Sequence, residues 1–204
     1  MGNRSDQKAR TRQQIMDSAL ALLADNRSFG ELSLREVTRE AGIAPNSFYR
    51  HFFDMEDLGL TLVNIAGEGL TQFISDARKR VAEPKNRVRI SIEAFFQHVT
   101  ANPQLFHMVL RERAGSDSFR RAIRNTISYA IEEMAEGLDR NAERTGLANF
   151  NSHLTAEAIV TIVFGLGANA LETDKDGQEA IAERMIQEIE LILLGSERMA
   201  ELTT

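Results

Sequence analysis

The sequence predicts an all-α chain with a small N-terminal helical domain, residues 1–53, and a larger C-terminal helical domain, residues 54–204. Three observations predict this fold class. Apolar residues recur at spacings of three and four along most of the chain, which is the period of an amphipathic helix. Glycine, proline and Asn-Pro steps separate these segments. No strand-like alternation recurs between them, so a mixed α/β fold is not expected.

The first helix is expected from about Asp6 to Asn26, behind a flexible basic arm over residues 1–8. Its buried stripe follows helical spacing and consists of Ile15, Ala19, Leu22 and Leu23. Four basic side chains precede the stripe, namely Arg4, Lys8, Arg10 and Arg12. They are free to meet a polyanion, or they are simply solvated; the sequence leaves both interpretations open.

Residues 29–53, FGELSLREVTREAGIAPNSFYRHFF, indicate two short helices joined by a tight turn. Ser33, with Glu36 three residues later, forms a capping box that starts the first of these helices. Gly42 follows the helix at the position where the chain must leave right-handed helical space. The pattern therefore predicts a helix-turn-helix.

The second short helix is expected to have an apolar back and a front rich in hydrogen-bond donors. Pro45 suits its first position, and Phe48 and Phe52 point inward. A short helix of this kind is what reading the major groove of duplex DNA requires. The predicted DNA contacts are Arg4, Lys8, Arg10, Ser33, Arg35, Ala44, Pro45, Asn46, Ser47, Tyr49, Arg50 and His51.

The glycine turn followed by FYRHF, with Leu58 opening the next helix, resembles the most specific segment of the TetR family of bacterial transcriptional regulators. The resemblance implies an N-terminal three-helix helix-turn-helix DNA-binding domain and a C-terminal helical domain for ligand binding and dimerisation. Two positions depart from the family's pattern. Met55 stands where members commonly have lysine, and Ala44 where they have Ser or Thr. Both substitutions remove an expected phosphate or capping contact, although Ala44 can pack on a thymine methyl.

Charge and composition agree with this division. The chain has net charge −6, but residues 1–53 carry eight basic and six acidic side chains, a net of +2, which leaves −8 for the remainder. With an acidic C-terminal part, the basic N-terminal part is the one expected to turn toward a polyanion. With no cysteine and a polar N-terminus, a cytoplasmic protein is expected. The apolar run over residues 158–171 is too short to span a bilayer, so no membrane association is expected.

A long helix is expected from Asp54 to about Ala82, followed by helices over residues 85–100, 105–113 and 116–145. Phe and Met are abundant in this interior, and such side chains line adaptable apolar pockets as well as ordinary cores. The predicted ligand-binding residues are Phe95, Phe96, Val99, Phe106, Met108, Arg111, Phe119, Ile123, Ile127, Met134 and Phe164.

Within the family, the phrases LSLREV, AGIAPNSFYRHF and LFHMVLRERAG are similar to the branch that represses unsaturated fatty acid biosynthesis. This resemblance implies a repressor of lipid-synthesis genes whose effector is a long acyl chain on coenzyme A or acyl carrier protein. Five arginines would suit the anionic head of such a ligand or form a solvated face: Arg111, Arg113, Arg120, Arg121 and Arg124. The alternative is a TetR-type repressor that responds to another hydrophobic small molecule or drug.

Residues 155–171 are apolar around the whole helix circumference, so every side of this helix must be covered. A chain of this size can hardly surround the helix alone. A second copy is therefore expected to cover it together with the helix at 179–194, forming a two-fold, four-helix interface. Such a homodimer would place two reading helices about one DNA turn or a small multiple apart, facing a palindromic operator.

Particular features of the sequence argue against other functions. The segment Gly165–Ala170 fits the G-x-G-x-x-A dinucleotide fingerprint, but its flanks are helical, and close approach of two helices explains the glycines better. The histidines, His51, His98, His107 and His153, lack metal-ligand spacing. No catalytic motif occurs, so no enzyme activity, metal or cofactor is expected. The non-catalytic alternative is a helical lipid- or peptide-binding module that has lost DNA function.

Overall fold

The computed structural model describes residues 2–23, 27–79, 86–112 and 115–202, and it contains no strand within them. The prediction of an all-α fold is confirmed. A short 3-10 helix, Phe29–Glu31, lies between the first two α-helices. In chain order the α-helices are α1 (Gly2–Leu22), α2 (Leu34–Glu40), α3 (Pro45–Phe48), α4 (Met55–Lys79), α5 (Arg87–Ala101), α6 (Pro103–Glu112), α7 (Asp117–Thr145), α8 (Ser152–Ala170) and α9 (Lys175–Leu202).

Helix α1 begins earlier than the sequence suggests, so the prediction of a flexible arm is wrong for residues 2–8. Once a helix is nucleated, each added residue gains a backbone hydrogen bond, which lets α1 continue through this polar segment. Ile15 and Ala19 are fully buried and Leu23 nearly so, as the predicted stripe requires, whereas Leu22 is half-buried.

The start of α2 follows the predicted capping box. The Glu36 N–H donates to Ser33 Oγ (3.3 Å), and the Ser33 N–H donates to Glu36 Oε2 (2.9 Å). Gly42 has φ +62°, a conformation that strains any residue with a Cβ. Pro45 occupies the first turn of α3. Both helices and their connection therefore form from signals only a few residues apart.

After α3 the chain continues in tight turns rather than as a long helix. The Arg50 N–H donates to the Ser47 carbonyl (3.2 Å), and the His51 N–H donates to the Phe48 carbonyl (2.8 Å). Phe48 is 0% and Phe52 2% exposed, with ring centroids 5.6 Å apart. The predicted apolar back of this segment is confirmed.

The chain divides into two compact units. The first comprises Met1–Ala66 and Asn102–Arg124, and the second comprises Gly67–Ala101 and Asn125–Thr204. Helix α6 and the start of α7 thus belong to the same compact unit as α1–α3. The functional division into residues 1–53 and 54–204 concerns what each part binds, and it stays a prediction.

In the second unit, α8 and α9 pack along each other and α5 packs on α9. A Cβ added to Gly167 would lie 2.5 Å from the Phe95 ring, so α5 and α8 approach closely at this glycine. This confirms the helix-packing interpretation of Gly167. Gly165, by contrast, is exposed and has no neighbouring atom within 4 Å of an added Cβ.

Helices α8 and α9 leave much of their apolar surface uncovered. Leu154 on α8 is 57% exposed, and α9 exposes four large apolar side chains by 64–70%: Leu191, Leu194, Met199 and Leu202. Helix α9 is also longer than the predicted 179–194. The prediction that the apolar run over residues 158–171 is too short to span a bilayer does not hold for the whole of α8, which is long and apolar enough by length and composition; core helices of soluble proteins pass the same test.

Candidate nucleic-acid interface

In the segment predicted to read DNA, exposed polar side chains lie over buried aromatic ones. We call residues 44–51 the reading face. Tyr49 is 60% exposed, and Asn46 and Arg50 are exposed as well. The ring of Tyr49 meets Phe48 edge-on, with centroids 5.8 Å apart and an interplanar angle of 85°. Because Phe48 is completely buried, the donors of this face stand on a fixed support.

The other predicted members of the reading face differ in accessibility. Ala44 and Pro45 are exposed, which leaves Ala44 open to an apolar contact, and Ser47 is half-buried. His51 is half-buried too, and its Nδ1 atom is enclosed without a hydrogen-bond partner among the described residues. Any contact of His51 with DNA must therefore use Nε2.

Burial lowers the pKa of His51, and the positive charges of Lys8, Arg12 and Arg50 lower it further. A lowered pKa favours the neutral form of the imidazole. A neutral ring offers one donor and one acceptor rather than two donors. His51 is thus less suited to phosphate than the arginines are, and better suited to a base edge.

Arg12 has a role that the sequence did not reveal. Its guanidinium donates to the His51 carbonyl and to Thr61 Oγ1 (3.3 Å), and its Cζ lies 4.0 Å from the centroid of the Phe52 ring. Neither interpretation that the sequence left open for Arg12, contact with a polyanion or simple solvation, describes this position, because both Nη atoms donate within the protein. Arg12 lies three residues before buried Ile15, and this helical spacing was the available signal for an inward position.

The remaining predicted contacts lie on α1 and α2. Lys8, Arg10 and Arg35 are exposed, and the Arg4 side chain lies outside the described residues. Ser33 uses both of its donors internally: its hydroxyl donates to Glu36 Oε2 (2.7 Å), as does its N–H. In this conformation Ser33 has no donor left for a phosphate.

Glu36 carries a fixed negative charge at the start of α2. Hydrogen bonds from the Ser33 side chain and backbone, then from Arg27, lower the pKa of Glu36 to about 2. Both Arg27 Nη atoms lie 3.2 Å from Glu36 Oε1. A carboxylate in the first turn also interacts favourably with the helix dipole.

The connection between α1 and α2 is held by α6, which the sequence did not predict. The Phe29 N–H donates to Glu112 Oε1 (3.0 Å), and Arg111 Nη1 donates to the Arg27 carbonyl (3.2 Å). Glu112 is only 6% exposed. Because it stands in the charged run Arg-Glu-Arg, its sequence position gives no sign of burial.

The predicted ligand-binding residues are distributed over both compact units. The first unit holds Phe106, Met108, Arg111, Phe119 and Ile123; the second holds Phe95, Phe96, Val99, Ile127, Met134 and Phe164. In the second unit Phe95 and Phe96 meet edge-on, with centroids 5.4 Å apart. In the first, Phe119 packs on Phe29, with centroids 5.8 Å apart.

Arg111 and Arg120 make contacts within the protein that the sequence did not foresee. Arg111 binds the Arg27 carbonyl, and Arg120 pairs with Asp117. Arg121 and Arg124 are exposed, and Arg113 lies outside the described residues.

None of the predicted ligand residues lines either of two surface depressions. One, of about 510 Å³, is lined by α7 between Glu132 and Asp139, by residues 148–151 and by the start of α8; the other, of about 430 Å³, is lined by α1 and Glu40. The effector site stays a prediction. Within the described residues, no group of three or more His, Asp or Glu side chains is arranged to hold a metal ion.

Comparison with known families matches both parts of the chain. Residues 15–60 match the bacterial regulatory proteins of the tetR family. Residues 84–193 match the tetracyclin repressor-like C-terminal domain. The second match alone spans more than half of the 204 residues.

Solved structures share the fold across nearly the whole chain. The fatty acid degradation regulator FadR of Bacillus halodurans has TM-score 0.70 and 18% identity, covering 90% of this chain and 94% of that one. A TerR/AcrR-family regulator of Aquifex aeolicus has TM-score 0.71 and 15% identity, covering 89% and 99%. The TetR-family regulator PfmR of Thermus thermophilus has TM-score 0.63 and 18% identity, covering 86% and 97%. Identities this low show a common fold alone.

Proposed function

The chain belongs to the tetR family of bacterial regulatory proteins, and on that premise we propose that it is a homodimeric repressor of lipid-synthesis genes that responds to long-chain acyl thioesters. Membership makes the chain a DNA-binding transcriptional regulator. The palindromic operator, the dimer, the acyl effector and the regulated genes are the proposed parts.

The observation that carries the proposal is that the exposed side chains of the reading face lie over buried phenylalanine rings. Arginine binds guanine bidentately, and asparagine does the same with adenine in the major groove. Arg50 and Asn46 are exposed, and Tyr49 offers a phenolic donor beside them. Lys8, Arg10 and Arg35 supply exposed positive charge on the neighbouring helices for contacts with phosphates.

The proposed dimer rests on α8 and α9. Leu191 and Leu194 are 69% and 64% exposed and lie three residues apart, hence on one face of α9. Several large apolar side chains exposed on one helix are typical of an interaction site. A second copy of the same two helices would bury it in a four-helix, two-fold arrangement.

The proposed effector rests on two similarities. The phrases LSLREV and LFHMVLRERAG are similar to the branch that represses unsaturated fatty acid biosynthesis, and one protein of similar fold is a fatty acid degradation regulator. The mechanism we propose is a population shift. An acyl chain that binds one of two conformations of the protein more tightly would favour that conformation and so change the spacing of the two reading faces. Chains of different saturation need only different affinities for the two states to act in opposite directions.

Operator binding by matched arginine variants tests the DNA-reading part. Arg50→Ala should weaken binding to a duplex that the wild-type protein selects from a random pool by about 5- to 150-fold, since a base contact contributes roughly 1–3 kcal/mol. Tyr49→Phe, which removes only the phenolic hydroxyl, should weaken binding less. Arg140→Ala on α7 is the control, because Arg140 is exposed and lies neither in the reading face nor on α8 or α9. Unchanged affinity in Arg50→Ala, with an intact dimer, would remove Arg50 from the contacts.

Titration of the operator complex with saturated and unsaturated long-chain acyl-CoA tests the effector. We expect operator affinity to change, and the two acyl chains to differ in size or direction of effect. Coenzyme A without an acyl chain is the control, because it carries the same anionic head. If neither acyl-CoA has an effect and a planar cationic drug releases the DNA, the chain responds to drugs instead.

A further inference from the structure

We propose that Glu112, at the end of α6, is a positioning residue that holds the connection between α1 and α2 and thereby sets the orientation of the reading face. This inference rests on the proposed function, because it assigns the control of DNA binding to a side chain that contacts no DNA. Glu112 acts through the backbone of Phe29, 83 residues away in sequence.

The contact joins two groups that both need a partner. Glu112 is 6% exposed, and a buried carboxylate is costly unless it accepts hydrogen bonds. The Phe29 N–H, 3.0 Å from Glu112 Oε1, belongs to a residue that is 3% exposed and would otherwise lack an acceptor. The second carboxylate oxygen lies against Gly115, where an added Cβ would collide with it. The position therefore fits a carboxylate held in one orientation.

A second contact from the same turn of α6 leads to the start of α2. Arg111 Nη1 donates to the Arg27 carbonyl, and the Arg27 side chain binds Glu36 at 3.2 Å. Glu36 closes the capping box of α2 with Ser33. Neighbouring residues of α6 thus hold the backbone at two points of the connection, and Arg27 extends this contact to the first turn of the helix-turn-helix. Such a continuous set of contacts is a physical route for coupling.

The Phe29 side chain is confined as tightly as its backbone. A Cβ added to Gly59 on α4 would lie 2.5 Å from the Phe119 ring and 2.6 Å from the Phe29 ring. The Phe29 side chain therefore packs against α4 and the start of α7, while the Phe29 N–H donates to Glu112 on α6. Because a close-packed segment cannot deform gradually, a shift of the last turn of α6 must move the connection or break the bond to Glu112.

Three carboxylate variants of the full-length protein test this role through operator affinity. Glu112→Ala should weaken binding to the selected duplex by about tenfold, a typical coupling between sites. Glu112→Gln keeps an oxygen that can accept the Phe29 N–H, so its affinity should stay within about threefold of wild type, as for a mild substitution. Glu183→Ala is the control, because it removes an exposed carboxylate paired with Arg89 in the other compact unit. The salt dependence of binding should be the same in all three, since the phosphate contacts are unchanged.

Amide hydrogen exchange on the same variants separates positioning from general loss of stability, and it does not depend on DNA. In Glu112→Ala we expect faster exchange over residues 27–40 and unchanged exchange in α8 and α9. Unchanged exchange over residues 27–40, or an increase throughout the chain, would overturn the positioning role, as would unchanged operator affinity. If the wild-type protein binds no duplex, the proposed function fails, while the exchange result still decides whether Glu112 holds the connection.

Discussion

The helix-turn-helix and the α8–α9 pair bury their apolar side chains to very different degrees. Helices α2 and α3 have only 7 and 4 residues, yet Phe48 and Phe52 behind them are almost completely buried within the chain. Helices α8 and α9 have 19 and 28 residues, yet Leu191 and Leu194 are more than half exposed. The short helices gain their stability from contacts within one chain. The long ones carry surface that a second molecule would have to cover, as the proposed dimer requires.

The largest expected effect comes from removing Phe48, the buried ring beneath the reading face. Phe48→Ala should destabilise the first compact unit by about 3–5 kcal/mol, because it deletes a completely buried ring and leaves a cavity. Phe53→Ala is the matched control: Phe53 is 84% exposed, and its loss should cost about 0.5 kcal/mol or less. Denaturant unfolding followed by hydrogen exchange over residues 27–66 measures both. Equal effects of the two variants would show that Phe48 is not the support of this face.

The second prediction concerns the exposed face of α9. Leu194→Ala should weaken self-association by about 1.5–3 kcal/mol if a partner copy buries the side chain fully. Tyr129→Ala on α7 also removes an exposed apolar side chain but lies outside α8 and α9, so it should change association little. Sedimentation equilibrium gives the association constants. A wild-type protein that stays monomeric at all concentrations would contradict the account of α8 and α9.

The third prediction concerns Arg12, whose contacts within the chain we expect to stabilise the first compact unit. Arg12→Ala loses hydrogen bonds to His51 and Thr61 and the contact with the Phe52 ring, so it should destabilise this unit by about 1–2 kcal/mol. Arg10→Ala removes an exposed arginine of the same helix and should leave stability nearly unchanged. Thermal unfolding distinguishes the two. Indistinguishable midpoints would mean that Arg12 does not fix the end of the reading face.

The smallest expected effect comes from the capping box. The folded-state pKa of Glu36 is about 2, below the usual value of 4.5, so its contribution to stability is present above pH 4.5 and is lost as the pH falls toward 2. Glu36→Gln should therefore be less stable than wild type at neutral pH, and the difference should shrink in acid. NMR titration of the Glu36 carboxyl checks the pKa directly; a midpoint near 4.5 would remove this contribution.

Sequence reasoning succeeded where the determining residues are close together. Ser33 and Glu36 are three residues apart, and Gly42 and Pro45 define the next turn, so capping and backbone preference sufficed to place α2 and α3. The burial of Phe48 and Phe52 followed from helical spacing. These features depend on local chemistry that any chain with this segment would share.

The contacts that could not be predicted join residues far apart in sequence. Arg12 and His51 are 39 residues apart, and Phe29 and Glu112 are 83 apart. A charged side chain has the same sequence signature whether it is solvated or buried with a partner, so only the tertiary fold distinguishes the two. The predicted effector residues show the same limit, because helical spacing gives each residue's face but not which helices meet.

The most direct test of the account is the affinity for a palindromic duplex compared with a duplex carrying one half-site, measured over a range of salt concentrations. Two reading faces held by one α8–α9 interface should bind the palindrome far more tightly, as one dimer per duplex, and affinity should fall steeply as salt rises. Equal affinity for the palindrome and the half-site, or binding that does not depend on salt, would contradict it.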